Sequence, residues 1–313
     1  MTYAIAACAR NEGPFLIEWI AHHLSVGFDK IFVATNDCED GTDQILDLLA
    51  ADWPVYRIDN TTSLEGLTHQ RSAVQRCLAH EDMTDQDWVM HIDLDEFLNI
   101  RTGQPRIAEF LAPFGDVHAV MFGCRVFGSS DRAVWDGGGV LDGFLLCQDD
   151  LEGFAQKVMF RRSAFRDAAP HCPKDPTVPA ETLRVVNTAG EMLDTSVCYR
   201  QRGTALKLAP EQKTWALACI NHYMHKSHDL TRLSRRLRGD ANGRRARRRR
   251  SVGTEEYNRF DRNDVLDVSI NTSRVDRIRI MTALLQTPGV LEAHYQAHAW
   301  FFKKLTRLAK RRR

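Results

Sequence analysis

Trp88-Val89-Met90-His91-Ile92-Asp93-Leu94-Asp95-Glu96-Phe97 is the stretch on which the reading of this chain turns. Its first five residues form a short, largely apolar run, the composition of a buried strand. The run passes without a turn residue into two carboxylates two positions apart. Strand side chains alternate between faces, so Asp93 and Asp95 are expected to project to one side of a strand end. Oxygen ligands placed there suit a hard divalent cation, Mg²⁺ or Mn²⁺. Such a cation can bind a diphosphate and neutralise the charge that develops as it leaves. Asp-x-Asp alone is a common pattern, and the same residues could cap a helix or pair with Arg101. The buried strand in front of them favours the metal reading.

Upstream, strand-like and helix-like segments alternate. Tyr3–Ala9 reads as a buried strand, and residues 14–24 read as a helix with Pro14 in its first turn and Gly27 placed to stop it. Residues 30–35, 55–58 and 88–92 read as further strands, with helices over 42–51 and 67–79 between them. This rhythm predicts an α/β fold, a mostly parallel sheet with helices on both faces. Ligands of such sheets bind at the carboxyl ends of the strands, where the polar loops converge. Downstream the rhythm loosens. Helix is expected over 107–114, strand over 118–122, a long Gly-rich loop over 128–143, strand or short helix over 214–222, and helices over 230–237, 278–285 and 290–304. Residues 1–230 are read as the main domain, the first hundred as its donor-binding half and 101–230 as its acceptor half. Residues 231–313 are read as a basic, mostly helical C-terminal extension.

Charge is nearly balanced, with 42 Lys and Arg against 41 Asp and Glu, which excludes a protein that binds nucleic acid through its overall charge. The charge is uneven, however: six arginines crowd Arg244–Arg250. The stretch 239–253 has almost no apolar residues and is read as an exposed, mobile loop, since no aromatic platform for bases is interleaved with the arginines. The basic C-terminal helix, with Trp300, Phe301 and Phe302 beside Lys303, Lys304 and Arg307, is the better candidate for peripheral contact with an anionic membrane, or else it docks its rings into the core. No spanning helix is expected, because no uncharged apolar run is long enough. The opening apolar run is broken too early, by Arg10, for a secretory segment. Eight cysteines with no C-x-x-C pair fit reduced thiols, so the expected location is the cytoplasm, extending to the inner face of the membrane.

Other chemistries fit less well. His222, His225 and His228 invite a zinc reading, but on a helix the third lies about 240° round from the first. The loop after the first strand lacks the G-x-G-x-x-G turn of a dinucleotide site. An Asp-x-Asp phosphatase would carry its motif after the first strand, and here it follows the fourth.

The segment Ala9 to Gly27, with Arg10-Asn11-Glu12, Glu18-Trp19 and His22-His23, resembles the opening of the GT-A glycosyltransferases in their family-2-like branch. The loop from Ala34 to Thr42, the run Ile92–Leu98, Phe127–Ser130, Lys157–Phe160, His222–Ser227, Arg238-Gly239 and Asp261–Ile270 are similar to that branch in order and spacing. The resemblance implies a Rossmann-like GT-A fold and a divalent-metal-dependent, inverting transfer of a hexose. The donor would be a nucleotide diphosphate sugar, UDP-linked, and the acceptor a glycan or a lipid-linked sugar. It places Arg10, Asn11 and Glu12 by the base and ribose, with Asn36 and Asp37 reading the base and Arg71 near the nucleotide. It makes Asp95 the direct metal ligand, with Mn²⁺ or Mg²⁺ also held by His222, and sets Asp93 against ribose or metal-bound water. Lys226 becomes a diphosphate contact, which suits an ammonium facing concentrated negative charge. Asp142 best matches the general base, and Lys157 and His171 are expected on the acceptor side. The alternative is a catalytically degenerate protein that only binds a nucleotide sugar or a polyanion.

Overall fold

The computed structural model describes residues 1–153, 155–200, 205–237 and 252–310. The Arg-rich run Arg244–Arg250 and the pair Arg238-Gly239 lie outside the described residues.

One nine-stranded sheet organises the molecule. Its first four strands are β1 (Thr2–Ala9), β2 (Lys30–Thr35), β3 (Val55–Asp59) and β4 (Asp87–His91). They lie in the order β3-β2-β1-β4, all parallel. The helices between them are α1 (Gly13–Ser25), α2 (Thr42–Leu49) and α3 (His69–Leu78). Parallel strands need crossovers of this kind, and helix packing on both faces accounts for the nearly unbroken apolar character of β1 and β2. The sequence reading therefore holds in this half, each boundary moving by no more than two residues.

The second half is mixed. β5 (Glu96–Ile100) forms the far edge, α4 (Ile107–Leu111) follows, and β6 (Ala119–Val126) enters the centre of the sheet. A one-turn helix α5 (Val140–Gly143) ends the Gly-rich loop, and β7 (Leu146–Cys147) follows. β8 (Ala155–Arg161) lies between β4 and β6, antiparallel to both. A small hairpin, β9 (Phe165–Ala169) with β10 (Cys172–Pro176), stands apart. β11 (Val185–Asn187) and β12 (Ala218–His222) both run parallel to β6, and β12 pairs antiparallel with β5. Within the nine strands only β5 and β8 run against the rest, so the sheet is mostly parallel, as the alternating pattern implies.

α6 (His228–Leu237), α7 (Glu255–Asn258), a two-stranded pairing of β13 (Val265–Leu266) with β7, α8 (Arg274–Gln286) and α9 (Val290–Lys310) complete the chain. α8 and α9 are not an appendage. Leu284, Val290, Ala293, Ala297, Phe301 and Leu305 belong to the same buried cluster as Ile5, Trp19 and Phe97. α9 lies so close to the start of α1 that a Cβ on Gly13 would stand 2.7 Å from that of Ala297. The C-terminal helices thus close one face of the sheet.

Candidate active site

β4 ends at His91, before the carboxylates, and this corrects the simplest reading of the motif. Residues 92–95 form a turn, in which the Glu96 N–H donates to the Asp93 carbonyl at 3.0 Å and the Tyr223 N–H donates to the Asp95 carbonyl at 2.8 Å. Strand alternation does not apply across a turn, and the two carboxylates enter different surroundings. Trp19 of α1 pins the turn from below, its indole N–H reaching the carbonyl of Glu96 at 2.9 Å and that of Asp93 at 3.1 Å.

Asp93 turns towards the protein. The Lys157 ammonium from β8, with no exposed surface, lies 2.8 Å from Asp93 and 2.9 Å from Glu96. Gln70 Nε2 of α3 donates to the other Asp93 oxygen at 3.0 Å, and the Asp93 N–H donates to Glu96 Oε2 at 2.9 Å. Burial, the largest single influence, pushes the Asp93 carboxyl up; the Lys157 ammonium, together with His91, outweighs it and holds Asp93 well below the usual carboxylate range. For His91 burial and the Lys157 ammonium outweigh the support of Asp93, the Ala6 carbonyl and Glu96. Burial lowers it to about 4, so the imidazole is neutral at pH 7, its Nδ1 bonded to the Ala6 carbonyl at 2.8 Å. Lys157, expected on the acceptor side, is instead an internal counter-ion. Gln70 and Glu96 are parts of the site to which sequence reading gave no role. Glu96 stood inside the quoted motif, whereas Gln70 had no local signal.

Asp95 turns the other way, towards β12. Its Oδ1 faces His222 Nε2 at 3.8 Å, and His222 Nδ1 lies 3.8 Å from Glu96 Oε1. These separations are too long for hydrogen bonds. Two ligands of one octahedral Mg²⁺ or Mn²⁺ at about 2.1 Å stand roughly 3.0 Å apart on adjacent corners and 4.2 Å on opposite ones, so the observed span lies between the two and the pair would have to shift by several tenths of an ångström to share such an ion. A carboxylate and an imidazole also suit Mn²⁺ chemically. Among the described residues no group of three His, Cys, Asp or Glu side chains is placed to hold a metal, so further ligands would come from water or a bound phosphate. His225 and His228 serve elsewhere. His225 packs on Tyr257 with ring centroids 4.4 Å apart, and His228 Nε2 lies 3.5 Å from Ser129 Oγ.

Lys226 lines a cleft together with Asn11, Glu12, Phe15 and Phe301. Its ammonium sits over the Phe15 ring, 4.8 Å from the centroid. Burial pulls its pKa below the ordinary lysine value, and Asp95 and Glu18 oppose that fall. The ammonium also donates to the Tyr223 carbonyl at 3.5 Å, and a largely buried cation favours a nearby anion, which offsets the hydration it has lost.

The loops after β1 and β2 are locked together on the same edge. Asn11 adopts a left-handed backbone, φ 57°, which asparagine tolerates, and its Oδ1 accepts the Glu39 N–H at 2.8 Å. The Glu12 N–H donates to Thr42 Oγ1 at 2.9 Å, and the Gly13 N–H donates to Asp40 at 2.8 Å. Asp37 is also left-handed, φ 48°; it receives Asn36 Nδ2 at 3.2 Å and faces Arg10 at 3.9 Å. Arg10, Asn11, Glu12, Asn36 and Asp37 thus form one continuous rim.

Arg71 and Asp142 are engaged elsewhere. Arg71 forms an ion pair with Asp167 of β9, while its neighbour Gln70 reaches Asp93. Successive helix residues point about 100° apart, so only one of the two can face the turn. Asp142 is engaged with α8, 3.1 Å from Arg274 and 3.6 Å from the buried Arg277. The structure gives it an anchoring task there. His171 lies in the isolated bridge to Ala205, with Nδ1 bonded to the Gln156 carbonyl at 2.8 Å.

Fold and site together define a Rossmann-like α/β protein with a carboxylate–imidazole pair and a buried cation at the carboxyl edge of its parallel strands. No protein-family model matches the chain. Its sequence is similar to a glycosyltransferase family 92 protein of Oryza sativa subsp. japonica, 26% identical over 144 residues, covering 45% of this chain and 24% of that protein. A protein of the same description from Ricinus communis is 28% identical over 130 residues, covering 40% and 23%. One from Arabidopsis thaliana is 32% identical over 95 residues, covering 28% and 14%. The matches therefore span less than a quarter of the length of these relatives. Among solved structures, S. aureus TarS 1–349 aligns over 97% of this chain and 89% of that one at 12% identity and a TM-score of 0.36. The same protein in complex with UDP-GlcNAc aligns over 53% and 47% at 15% identity and 0.34. At these scores the likeness adds nothing to the topology already described.

Proposed function

We propose that this chain is a glycosyltransferase that moves a hexose from a nucleotide diphosphate sugar, UDP-linked, to a glycan or lipid-linked acceptor. The observation that carries the reading is the Asp95–His222 pair, 3.8 Å apart at the strand edge, next to the buried Lys226. The family 92 names of its relatives support glycosyl transfer. The choice of UDP and of inversion rests on the resemblance of the sequence motifs.

Asp95 and His222 would hold Mn²⁺ or Mg²⁺, which supplies charge to bind and neutralise the donor diphosphate. Lys226 adds a fixed ammonium for the same phosphates. Asp93, kept ionised and rigid by Lys157 and Gln70, is an acceptor for a ribose hydroxyl. The rim from Arg10 to Glu12 and Asn36–Asp37 frames the base.

Calorimetry of UDP binding, with and without Mn²⁺, on the wild type and Asp95→Asn tests this reading. Binding that requires metal and is lost in Asp95→Asn is expected. Binding indifferent to both would overturn the metal site. Metal-dependent UDP binding without turnover on any sugar or acceptor would favour the degenerate, binding-only alternative.

A further inference from the structure

α9 has two different faces. Its inner face, with Ala293, Ala297, Phe301 and Leu305, is buried against the rest of the molecule. The sequence assigned Trp300 and Phe301 to a membrane face or to the core, and the structure decides for the core: Phe301 is 3% exposed, and Trp300 is half-buried beneath the Lys304 ammonium.

The outer face carries other residues. Leu291, Tyr295 and Phe302 are 47%, 67% and 40% exposed. At 100° per residue they lie within about 40° of one another, an apolar stripe roughly 17 Å long. On the side away from the buried face, about 80° to 140° round the helix from the stripe, stand the exposed Lys303, Arg307 and Lys310, and the sequence continues as three further arginines. The other flank is the buried face. Glu292 is the one acidic side chain of the helix. Phe302 stacks one side of its ring on Trp135, centroids 5.2 Å apart, so packing accounts for part of it; with the fold already served by the inner face, Leu291 and Tyr295 remain largely in water.

We propose that α9 is an interfacial helix, laying Leu291, Tyr295 and the exposed edge of Phe302 into the headgroup boundary of an anionic lipid bilayer while Lys303, Arg307 and Lys310 reach round the side of the helix towards the lipid phosphates. The pattern of an apolar stripe edged by cations is that of helices lying in the plane of a membrane surface. The same charge pattern disfavours a second copy of the chain as the occupant, because two such helices would bring like charges together. Phe301 lines the cleft from the inner side of the same helix, so docking would hold the cleft at the lipid surface. The proposal stands independently of the donor reading.

Flotation of the full chain with vesicles tests it. The vesicles are phosphatidylcholine alone, or phosphatidylcholine with about 30% phosphatidylglycerol, in roughly 0.1 M salt. The wild type is expected to float with the anionic vesicles only. Leu291→Ser/Tyr295→Ser, and separately Lys303→Gln/Arg307→Gln/Lys310→Gln, are expected to cut partitioning by on the order of tenfold, with unchanged thermal midpoints. No flotation of the wild type would overturn the proposal, as would undiminished flotation of Leu291→Ser/Tyr295→Ser, which would leave binding to cations elsewhere in the chain. Conversion of a dimer to a monomer by Leu291→Ser/Tyr295→Ser, seen by light scattering, would overturn it too, by assigning the stripe to a second copy.

Discussion

Lys157→Met removes the internal counter-ion of the site while nearly conserving side-chain volume. The ammonium lies 2.8 Å from Asp93 and 2.9 Å from Glu96, and Glu96 is 2% exposed. Taking one partner from a buried ion pair leaves the other charge uncompensated, at a cost of about 3–5 kcal/mol. For a chain of 313 residues that corresponds to a fall in thermal midpoint of roughly 5–8 °C. The pH dependence follows from Asp93. In the wild type its folded pKa is depressed, so its stabilisation is complete above the unfolded value of about 3.9 and is lost only as pH falls towards the lower folded value. Without Lys157 burial becomes the dominant influence and the folded pKa rises above the unfolded one. The variant's deficit is then full at neutral pH and shrinks on mild acidification, as Asp93 takes up a proton. Guanidinium melts of both proteins at pH 7.5 and pH 5 measure it. A deficit below about 1 kcal/mol at pH 7.5, or one that grows as pH falls, would refute the counter-ion argument.

Lys226→Ala should weaken metal-dependent UDP binding about 10- to 100-fold, the loss of one or so charge-assisted hydrogen bonds, with little change in the thermal midpoint; unchanged affinity by calorimetry would remove Lys226 from the donor site. Trp19→Phe leaves the Asp93 and Glu96 carbonyls without their indole donor and should cost about 1–3 kcal/mol in a denaturant melt, together with a loss of UDP affinity as the turn loosens. Asp142→Asn should cost no more than about 1 kcal/mol, because its pair with Arg274 is half-exposed, and should leave UDP binding intact. Loss of turnover in that variant, with binding and stability unchanged, would instead identify Asp142 as the general base.

The first hundred residues were legible because their physics is local. Short apolar strands and amphipathic helices alternate from Thr2 to His91, and each announces itself within a few residues. After residue 100 the helices over 107–114, 230–237, 278–285 and 290–304 and the strands near 118–122 and 214–222 were legible too, but the strand between β4 and β6 was not, because it is internally charged. β8 places Gln156 and Lys157 inside the molecule, so its apolar run shrinks to Val158-Met159-Phe160 between charged residues and gives a weak strand signal, although it occupies the middle of the sheet. β5 was hidden for a related reason: Glu96 and Asn99 are buried on it, bonded to groups supplied by Asp93 and by Ser269. Asp142 and Arg71 were drawn towards the site by motif position alone, and tertiary partners far along the chain claim them.

The Asp-x-Asp motif itself shows why spacing was informative and yet incomplete. Read as an extended strand, it puts two equivalent carboxylates on one cation. The turn at residues 92–95 breaks that equivalence, and the rest of the sheet exploits the break. Lys157 satisfies Asp93 from the inside, whereas Asp95 faces His222 at 3.8 Å on the other side of the turn. Two uncompensated carboxylates at this depth would repel each other and raise the cost of folding the empty protein. With one neutralised by an internal lysine, the proposed cation would have to be met by the Asp95–His222 pair alone among these side chains. An anionic ligand would likewise offset the hydration that the buried Lys226 has lost.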